Sequence, residues 1–240
     1  MISAHRKTLT IAFGLFAAAL GGAAVLAAPA KPGARAQNWN QTVTRTPRDS
    51  YVLGNPAAPV KLVVYISYTC SHCADFETES DAQLRLGFIA PGKGSLEVRS
   101  FLRDPIDLTV SLLTHCGPPG KFFGTHSAFL RTQATWLAPA MALTAGQRER
   151  WANPDFKART RAIASDLKFY DIMARRGFNR AVVDQCLADK PLADRLAKQT
   201  KEAADNDFVT GTPSFLLNGL PLAGTTTWET LKPQVEARLR

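Results

Sequence analysis

The stretch VKLVVYISYTCSHC, residues 60–73, decides the fold. Its first eight residues are apolar apart from Lys61 and Ser67, and the run is too short for a typical helix, so it predicts a strand buried on both faces. Cys70 and Cys73 follow the strand and open a segment with a helical pattern. A strand that runs directly into a helix predicts an α/β protein.

The position of the two cysteines at the start of a helix has a chemical consequence. The first helical turn carries unpaired N–H groups and a partial positive charge, and both stabilise a thiolate. The thiolate, rather than the thiol, is the nucleophile. His72 adds a donor or a positive charge, and Cys73 lies one turn beyond Cys70, within reach to close a disulfide. This context predicts a redox-active pair with Cys70 as the nucleophile.

A CxxC pair has two other interpretations, a structural disulfide and half of a zinc site. Zinc needs two further ligands, and the remaining candidates include no second close pair: His115, Cys116, His126 and Cys186. The strand–CxxC–helix context favours redox chemistry. We therefore predict no metal and no cofactor.

The elements around this motif follow from local patterns. Residues 51–55 predict an edge strand, because Pro56 cannot continue a ladder. Residues 71–86 predict a helix that stops at Gly87. Residues 96–102 alternate and predict a second strand.

From residue 106 to about 205 the apolar period is helical. Residues 163, 167, 170 and 174 recur every three or four positions and predict the core-facing stripe of a single helix. Asp104 and Asp107 flank a proline and are predicted to cap the first helix of this block. Neither is assigned to acid–base chemistry.

The last part of the chain returns to strand and helix signals. Residues 214–217 predict a strand, and Asn218-Gly219 is a strong hairpin signal. Residues 228–239 predict a final amphipathic helix.

Residues 1–36 predict a secretory signal peptide. A short basic start precedes an uncharged run over residues 8–28, and a cleavage site after Ala36 fits best. An uncleaved membrane anchor is the alternative, because about 20 apolar residues can span a bilayer. Without the four cations of residues 1–36 the net charge falls from +9 to +5. No dense basic run with interleaved aromatics remains, so binding to nucleic acid is not indicated.

Four cysteines lie beyond residue 36, and an even number behind an export signal indicates an oxidising compartment. Cys116 and Cys186 each lie in an apolar helical context. A structural disulfide between them is favoured in that compartment. Two buried free cysteines, or a regulatory or electron-relay pair, are the alternatives.

In these motifs and their order, the chain resembles the DsbA-like thiol–disulfide oxidoreductases, a thioredoxin-fold family of the bacterial periplasm. The resemblance covers residues 51–239 and rests on the CxxC after its strand, the helical block, the Gly-Thr-Pro sequence at 211–213, the Asn-Gly turn and the last helix. It implies a thioredoxin-like α/β fold with an inserted α-helical domain. The implied parts are a first thioredoxin-like part at 37–105, a helical insertion at 106–205 and a second thioredoxin-like part at 206–240.

The resemblance also implies roles for individual residues. Cys70, His72 and Cys73 would be catalytic, while Thr212 and Pro213 would bind substrate. Pro213 would be cis and pack against the cysteines, and the Thr212 backbone would pair with an extended substrate by strand addition. The substrates would be reduced or misfolded polypeptides in the periplasm. A membrane partner would then reset the redox state of the pair.

Three positions differ from the pattern of strong oxidases in this family. Ser71 replaces the common proline, Val64 occupies the place of a buried acid, and Thr212 resembles the residue found in the isomerase branch. We expect an oxidase, with an isomerase or reductase of the same fold as the alternative. A thioredoxin-like metal-delivery or chaperone module is the alternative from another class.

Overall fold

The computed structural model describes residues 37–239, and the predicted signal peptide, residues 1–36, lies outside the described residues. No helix within the described range has the length and apolar character needed to cross a membrane. The strands are β1 (Val43–Arg45), β2 (Tyr51–Gly54), β3 (Val60–Ile66), β4 (Gly94–Ser100), β5 (Ser214–Leu217) and β6 (Leu220–Pro221). They form one mixed sheet in the order β1-β2-β4-β3-β5-β6.

Ten α-helices make up much of the rest of the described chain. They are α1 (Ser71–Leu84), α2 (Pro105–Thr114), α3 (Phe122–Arg131), α4 (Gln133–Leu137), α5 (Ala145–Trp151), α6 (Phe156–Asp166), α7 (Phe169–Arg175), α8 (Arg180–Leu187), α9 (Lys190–Asn206) and α10 (Trp228–Leu239). Helices α2 to α9 lie between β4 and β5 along the chain. The fold is therefore thioredoxin-like with a helical insertion, as the sequence predicted.

Strand β3 lies in the interior of the sheet. It pairs in parallel with β4 and antiparallel with β5, and all of its side chains except Lys61 are buried. Its pairing with β5 places Tyr65 opposite Ser214. The carboxyl end of β3, which leads into the cysteines, therefore lies beside the start of β5. The Asn218-Gly219 turn adopts positive φ at both residues and joins β5 to β6, as predicted.

The prediction that residues 51–55 form an edge strand is wrong. Strand β1 pairs with the outer side of β2, with Thr44 opposite Val52. Strand β1 has only three residues, and its burial pattern is half-buried to exposed. Local patterns carry no signal for such a strand, because its place depends on the neighbouring β2.

The helix after the cysteines also continues further than predicted. Helix α1 runs into a π-helical turn over Arg85–Ile89 that passes through Gly87. The chain turns instead near Gly92, which has a φ of +72°. A Cβ atom at Gly92 would lie 2.7 Å from the indole nitrogen of Trp39, so this position requires glycine.

The single helix predicted across residues 163–174 is two helices. Lys168 adopts a left-handed conformation with φ +60° and separates α6 from α7. The break changes the phase of the apolar stripe, so Ile172 and Met173 are buried while Ala174 is exposed. The interior of the insertion is aromatic, with Phe169 packed edge-on at 5.2 Å against both Phe129 and Trp136.

A disulfide joins Cys116, just after α2, to Cys186 in α8, with a Cα–Cα distance of 5.6 Å. It closes a loop of 70 residues that contains most of the helical insertion. A crosslink over such a loop restricts the unfolded chain far more than the folded one.

We expect the double variant Cys116→Ala/Cys186→Ala to lose about 2–4 kcal/mol of unfolding free energy, because the unfolded chain regains the entropy of this loop. Urea denaturation of the two proteins, each with the Cys70–Cys73 pair reduced, measures the difference. An unchanged urea midpoint would contradict a stabilising role. The pair Cys70→Ala/Cys73→Ala, which keeps the crosslink, is the matched control.

Candidate active site

Strand β3 and helix α1 position the two free cysteines. Cys70 is the N-cap residue of α1, and Cys73 lies in the first turn of the same helix. Cys70 is 5% exposed and Cys73 is fully buried, at 0%. A reagent or substrate that approaches from solvent therefore meets the Cys70 sulfur first.

The surroundings of Cys70 favour its thiolate and lower its pKa to about 4. The largest contribution is a hydrogen bond from the Cys73 thiol, which outweighs the opposing effect of burial. The Thr212 hydroxyl and the backbone N–H groups of Cys73 and His72 add to it. These N–H groups belong to the first turn of α1, whose N–H groups and partial positive charge favour an anion.

Cys73 has the opposite behaviour. Burial raises its pKa well above the ordinary value, and the neighbouring Cys70 sulfur raises it further, both by hydrogen bonding and by its charge. In the reduced protein, therefore, Cys70 is the thiolate and Cys73 is the thiol. One sulfur is ready to react, and the other stabilises it.

The structure places the His72 side chain differently from what its position between the cysteines suggested. Its imidazole is exposed and lines the grooves beside the cysteines. The effect of His72 on the Cys70 thiolate comes from its backbone N–H. We infer that any residue other than proline would supply that N–H group.

Thr212 and Pro213 lie directly against the pair. The Thr212–Pro213 peptide bond is cis, and the Cys70 sulfur lies 3.1 Å from the Thr212 carbonyl oxygen. The Thr212 hydroxyl is buried without a hydrogen bond of ordinary geometry. It lies close enough to both sulfurs to lower the pKa of each. The two segments are 142 residues apart in sequence, and the β3–β5 pairing brings them together.

An open groove of about 470 Å³ extends from this point. His72 and residues 207–216 and 221–226 line it. Phe208 is 76% exposed at its border, an unusual degree of exposure for a phenylalanine. The groove therefore places the backbone of residues 211–213 beside Cys70, with an exposed apolar side chain at its border.

The other ligands considered for a zinc site are engaged elsewhere. Cys116 and Cys186 are bonded to each other. His115 is buried against the backbone carbonyls of Asp49 and Ser111, and His126 contacts the Tyr68 hydroxyl. Across residues 37–239, no three His, Cys, Asp or Glu side chains are grouped so that they could hold a metal ion.

Asp104 caps α2, as predicted, by accepting from the backbone N–H groups of Ile106 and Asp107. Asp107 has a further role that the sequence did not indicate. Its carboxylate is buried and accepts from the Ser67 hydroxyl at 2.6 Å and from the Tyr68 backbone N–H at 2.8 Å. It therefore holds the segment that joins β3 to the cysteines.

A second missed residue holds the same segment from the other side. The Gln133 amide, at the start of α4, donates to the carbonyl oxygens of Tyr68 and Cys70 at 2.7 and 2.9 Å. No local pattern distinguishes a buried glutamine of this kind from a surface one. Only the packing of α4 against the loop gives Gln133 its role.

A family model described as Thioredoxin matches residues 46–237 of the chain. The chain is also similar to the crystal structure of a protein-disulfide isomerase from Novosphingobium aromaticivorans. The two are 53% identical with a TM-score of 0.76, and the match covers 80% of this chain and 97% of that one. The chain belongs to the thioredoxin family.

Other relatives of this thioredoxin-family protein are more distant. The structure of α-DsbA1 from Wolbachia pipientis has a TM-score of 0.62 at 20% identity, over 78% of this chain and 89% of that one, which shows a shared fold. Curated proteins from Rickettsia typhi and Rickettsia felis, provisionally named protein-disulfide oxidoreductases, are each 28% identical over 70% of this chain. The chain spans about half of their length, 54% and 53%.

We expect Cys70 in the reduced protein to be alkylated with a pH midpoint near 4, because the Cys73 thiol, and to a smaller extent the N–H groups of the helix start, stabilise its thiolate. Iodoacetamide kinetics across pH, with the modified residue identified by mass spectrometry, measures this midpoint. Cys73→Ala should raise the midpoint, since it removes the largest stabilising hydrogen bond. A midpoint near 8.5, the ordinary value for a thiol, would contradict the assignment.

Thr212→Val should also raise the Cys70 midpoint, because it removes a hydroxyl that lowers the pKa of both sulfurs. Each unit of change corresponds to about 1.4 kcal/mol. The same alkylation experiment applies, with Thr210→Val as the matched control, since Thr210 is exposed. Equal midpoints in the two variants would show that the Thr212 hydroxyl has no such effect.

Proposed function

We propose that this protein is an exported thiol–disulfide oxidoreductase that introduces disulfides into extracytoplasmic polypeptides through Cys70 and Cys73. The observation that carries the proposal is the asymmetry of the pair, with a stabilised thiolate at Cys70 and a buried thiol at Cys73. A structural disulfide needs no such asymmetry, whereas thiol–disulfide exchange depends on it.

The reaction follows from the accessibility of the two sulfurs. A substrate thiolate attacks Cys70 of the oxidised pair, a bond forms between these sulfurs, and the electron pair of the broken disulfide moves to Cys73. A second substrate thiolate attacks the substrate sulfur of this mixed disulfide, and Cys70 leaves as a thiolate. The substrate gains a disulfide, and the cysteine pair is reduced.

The low pKa of Cys70 supports the oxidising direction. A thiol of low pKa is a better leaving group, and a stabilised thiolate lowers the free energy of the reduced protein relative to the oxidised one. Because the folded-state pKa is depressed, this stabilisation is present at neutral pH and is lost as the pH falls toward 4. The reduced protein is therefore more stable, relative to the oxidised one, at neutral pH than near pH 4.

The groove supports a polypeptide as substrate. The backbone of residues 211–213 precedes the paired part of β5, so an extended chain could pair with it next to Cys70 by strand addition. Recognition through the backbone tolerates many sequences. Phe208 would add an apolar contact for substrates in which hydrophobic side chains are still exposed.

Two parts of the proposal concern the cell. Residues 1–36 would direct export to the periplasm, where the Cys116–Cys186 disulfide is also stable. Each catalytic cycle leaves the pair reduced, so a membrane partner that accepts two electrons would have to reoxidise it.

We expect the purified protein to oxidise a reduced, unfolded polypeptide stoichiometrically. We expect the reduction potential of its Cys70–Cys73 pair to be more oxidising than the value of about −270 mV of thioredoxin. Equilibration with glutathione buffers and quantification of the free thiols measures the potential. Ser71→Pro should make the pair still more oxidising, since proline is the residue at this position in strong oxidases. A potential at or below that of thioredoxin would favour a reductase instead.

Isomerisation is the second candidate, because Thr212 matches the isomerase branch and the Novosphingobium relative is named as an isomerase. An isomerase acts on wrong disulfides, and its reduced form is the active one. Recovery of activity from a scrambled, fully oxidised substrate distinguishes the two functions. An oxidase alone leaves such a substrate unchanged, while an isomerase restores its native pairing.

A further inference from the structure

The end of helix α9, where the chain enters the groove beside the cysteines, carries a residue that its backbone conformation disfavours. Helix α9 ends at Asn206, and Phe208 follows with a φ of +56°. Glycine or asparagine usually occupies a left-handed position after a helix, and a bulky residue there is an outlier. Phe208 is also 76% exposed, so its ring gains little from burial. An asparagine at this position would avoid both disadvantages.

The turn at this helix end does not need the phenylalanine ring. The backbone N–H of Val209 returns to the Ala203 carbonyl oxygen of α9 at 3.1 Å. The Val209 side chain is 3% exposed and packs with Ala203 and Tyr65 in a small apolar cluster. Val209 and the backbone therefore close the helix end. The presence of Phe208 needs another explanation, and departures from local preference of this kind are expected at functional sites.

Asp207, the C-cap residue of α9, ties this helix end to the sheet. A carboxylate here faces the negative end of the helix dipole, which is unfavourable. The Tyr65 hydroxyl donates to the carboxylate, and the Arg99 guanidinium lies 3.4 Å from it. Tyr65 and Arg99 are partners on β3 and β4, and Arg99 also donates to the Tyr65 hydroxyl oxygen at 2.8 Å. The residue before Phe208 is therefore fixed to two interior strands.

Phe208 differs from the other exposed apolar residues in its location. Among residues 37–239, four large apolar side chains are exposed. Phe208 is the one that lines the groove beside the cysteines. The other three, which lie outside that groove, are Leu86, Met141 and Leu220.

The position of Phe208 relative to the reactive sulfur is also defined. Phe208 and Thr212 line the same groove, and the Thr212 carbonyl oxygen lies 3.1 Å from the Cys70 sulfur. The four peptide units between Phe208 and Thr212 span at most about 14 Å. An extended substrate advances about 3.3 Å per residue. A substrate that pairs with residues 211–213 would therefore bring a side chain within about four residues of its reacting cysteine to Phe208.

We propose that Phe208 is a specificity-determining residue, which selects polypeptide segments with an apolar side chain within about four residues of the reacting cysteine. Asp207, fixed by Tyr65 and Arg99, is the positioning residue that holds the Phe208 ring at the groove. This selection rests on the thiol–disulfide exchange proposed above and leaves its sulfur chemistry unchanged. A side chain whose backbone is already fixed loses little freedom when a partner packs against it, so more of the contact appears as affinity.

Two reduced peptides test this selection. Each has two cysteines, and they differ only in carrying phenylalanine or serine two residues before and after the first cysteine. The full chain in its oxidised form is mixed with excess peptide at pH 7, quenched with acid, and the opened Cys70–Cys73 pair is counted by mass spectrometry. The phenylalanine peptide should half-saturate the reaction at about a tenfold lower concentration, less than full burial of its side chain would give. The limiting rates should be equal, because the contact lies away from the sulfurs.

Phe208→Asn separates recognition from folding. Asparagine accepts the left-handed conformation, so urea denaturation should give a midpoint equal to or higher than that of the wild type. The difference between the two peptides should disappear, because the apolar contact is lost. Leu86→Asn is the matched control and should keep the difference, since Leu86 is 75% exposed and lies outside the groove.

Asp207→Ala tests the positioning role. It removes the group that Tyr65 and Arg99 hold, so the difference between the peptides should decrease. Asp207→Asn keeps an oxygen that accepts from the Tyr65 hydroxyl and should restore most of the difference. In the Phe208→Asn background, Asp207→Ala should change nothing further, because residues that act through one contact are not additive. Tyr65→Phe, which removes the donor, replaces Asp207→Ala in this test if that variant does not fold.

Equal half-saturating concentrations of the two peptides with the wild-type protein would overturn the selection by Phe208. A difference that survives in Phe208→Asn would do the same, and a lower urea midpoint in that variant would assign the ring to the fold instead. An undiminished difference in Asp207→Ala would overturn the positioning role. If neither peptide opens the wild-type disulfide at any concentration, the proposed function fails as well.

Discussion

Two sulfur atoms one helical turn apart in an apolar environment cannot both carry a charge, and the site is organised around this constraint. The pair holds one negative charge, and the donors of the first turn of α1 converge on Cys70 to stabilise it there. Cys73 then stays neutral because it is buried beside that charge. Nucleophile and leaving group are thus distinguished by their position relative to one helix end, although both are the same amino acid.

The sheet gives this constraint its geometry. The cysteines follow the carboxyl end of β3. Thr212 and Pro213 precede β5, its antiparallel neighbour, and therefore lie at the same end of the sheet. The helical insertion between β4 and β5 then contributes from outside the sheet. Its first helix supplies Asp107 and α4 supplies Gln133, and both hold the loop that precedes Cys70. The insertion is therefore part of the site as well as a cover for the core.

Local sequence signals predicted the elements whose causes are local. The apolar run of β3, the CxxC at a helix start and the Asn218-Gly219 turn each depend on a few neighbouring residues. The elements that were predicted wrongly depend on tertiary contacts. Strand β1 forms by pairing with β2. Lys168 adopts a left-handed conformation that ends α6, and the continuous apolar period gives no sign of it. The position of Asp107 two residues after Pro105 predicts helix capping, and only the folded structure brings its carboxylate into contact with the Ser67 hydroxyl.

The contrast between Val64 and Asp107 shows where this fold can accommodate a buried acid. Val64 pairs with Val98 and Phe215 on neighbouring strands, where backbone donors are already engaged in the sheet. A carboxylate there would have few partners and would be held protonated by burial. Asp107, in the first turn of α2, accepts three hydrogen bonds. Burial raises its pKa to about 7, and these hydrogen bonds oppose the shift. A fold that places apolar residues on β3 therefore accommodates its buried acid on the adjoining helix, where the segment before the cysteines supplies hydrogen-bond donors.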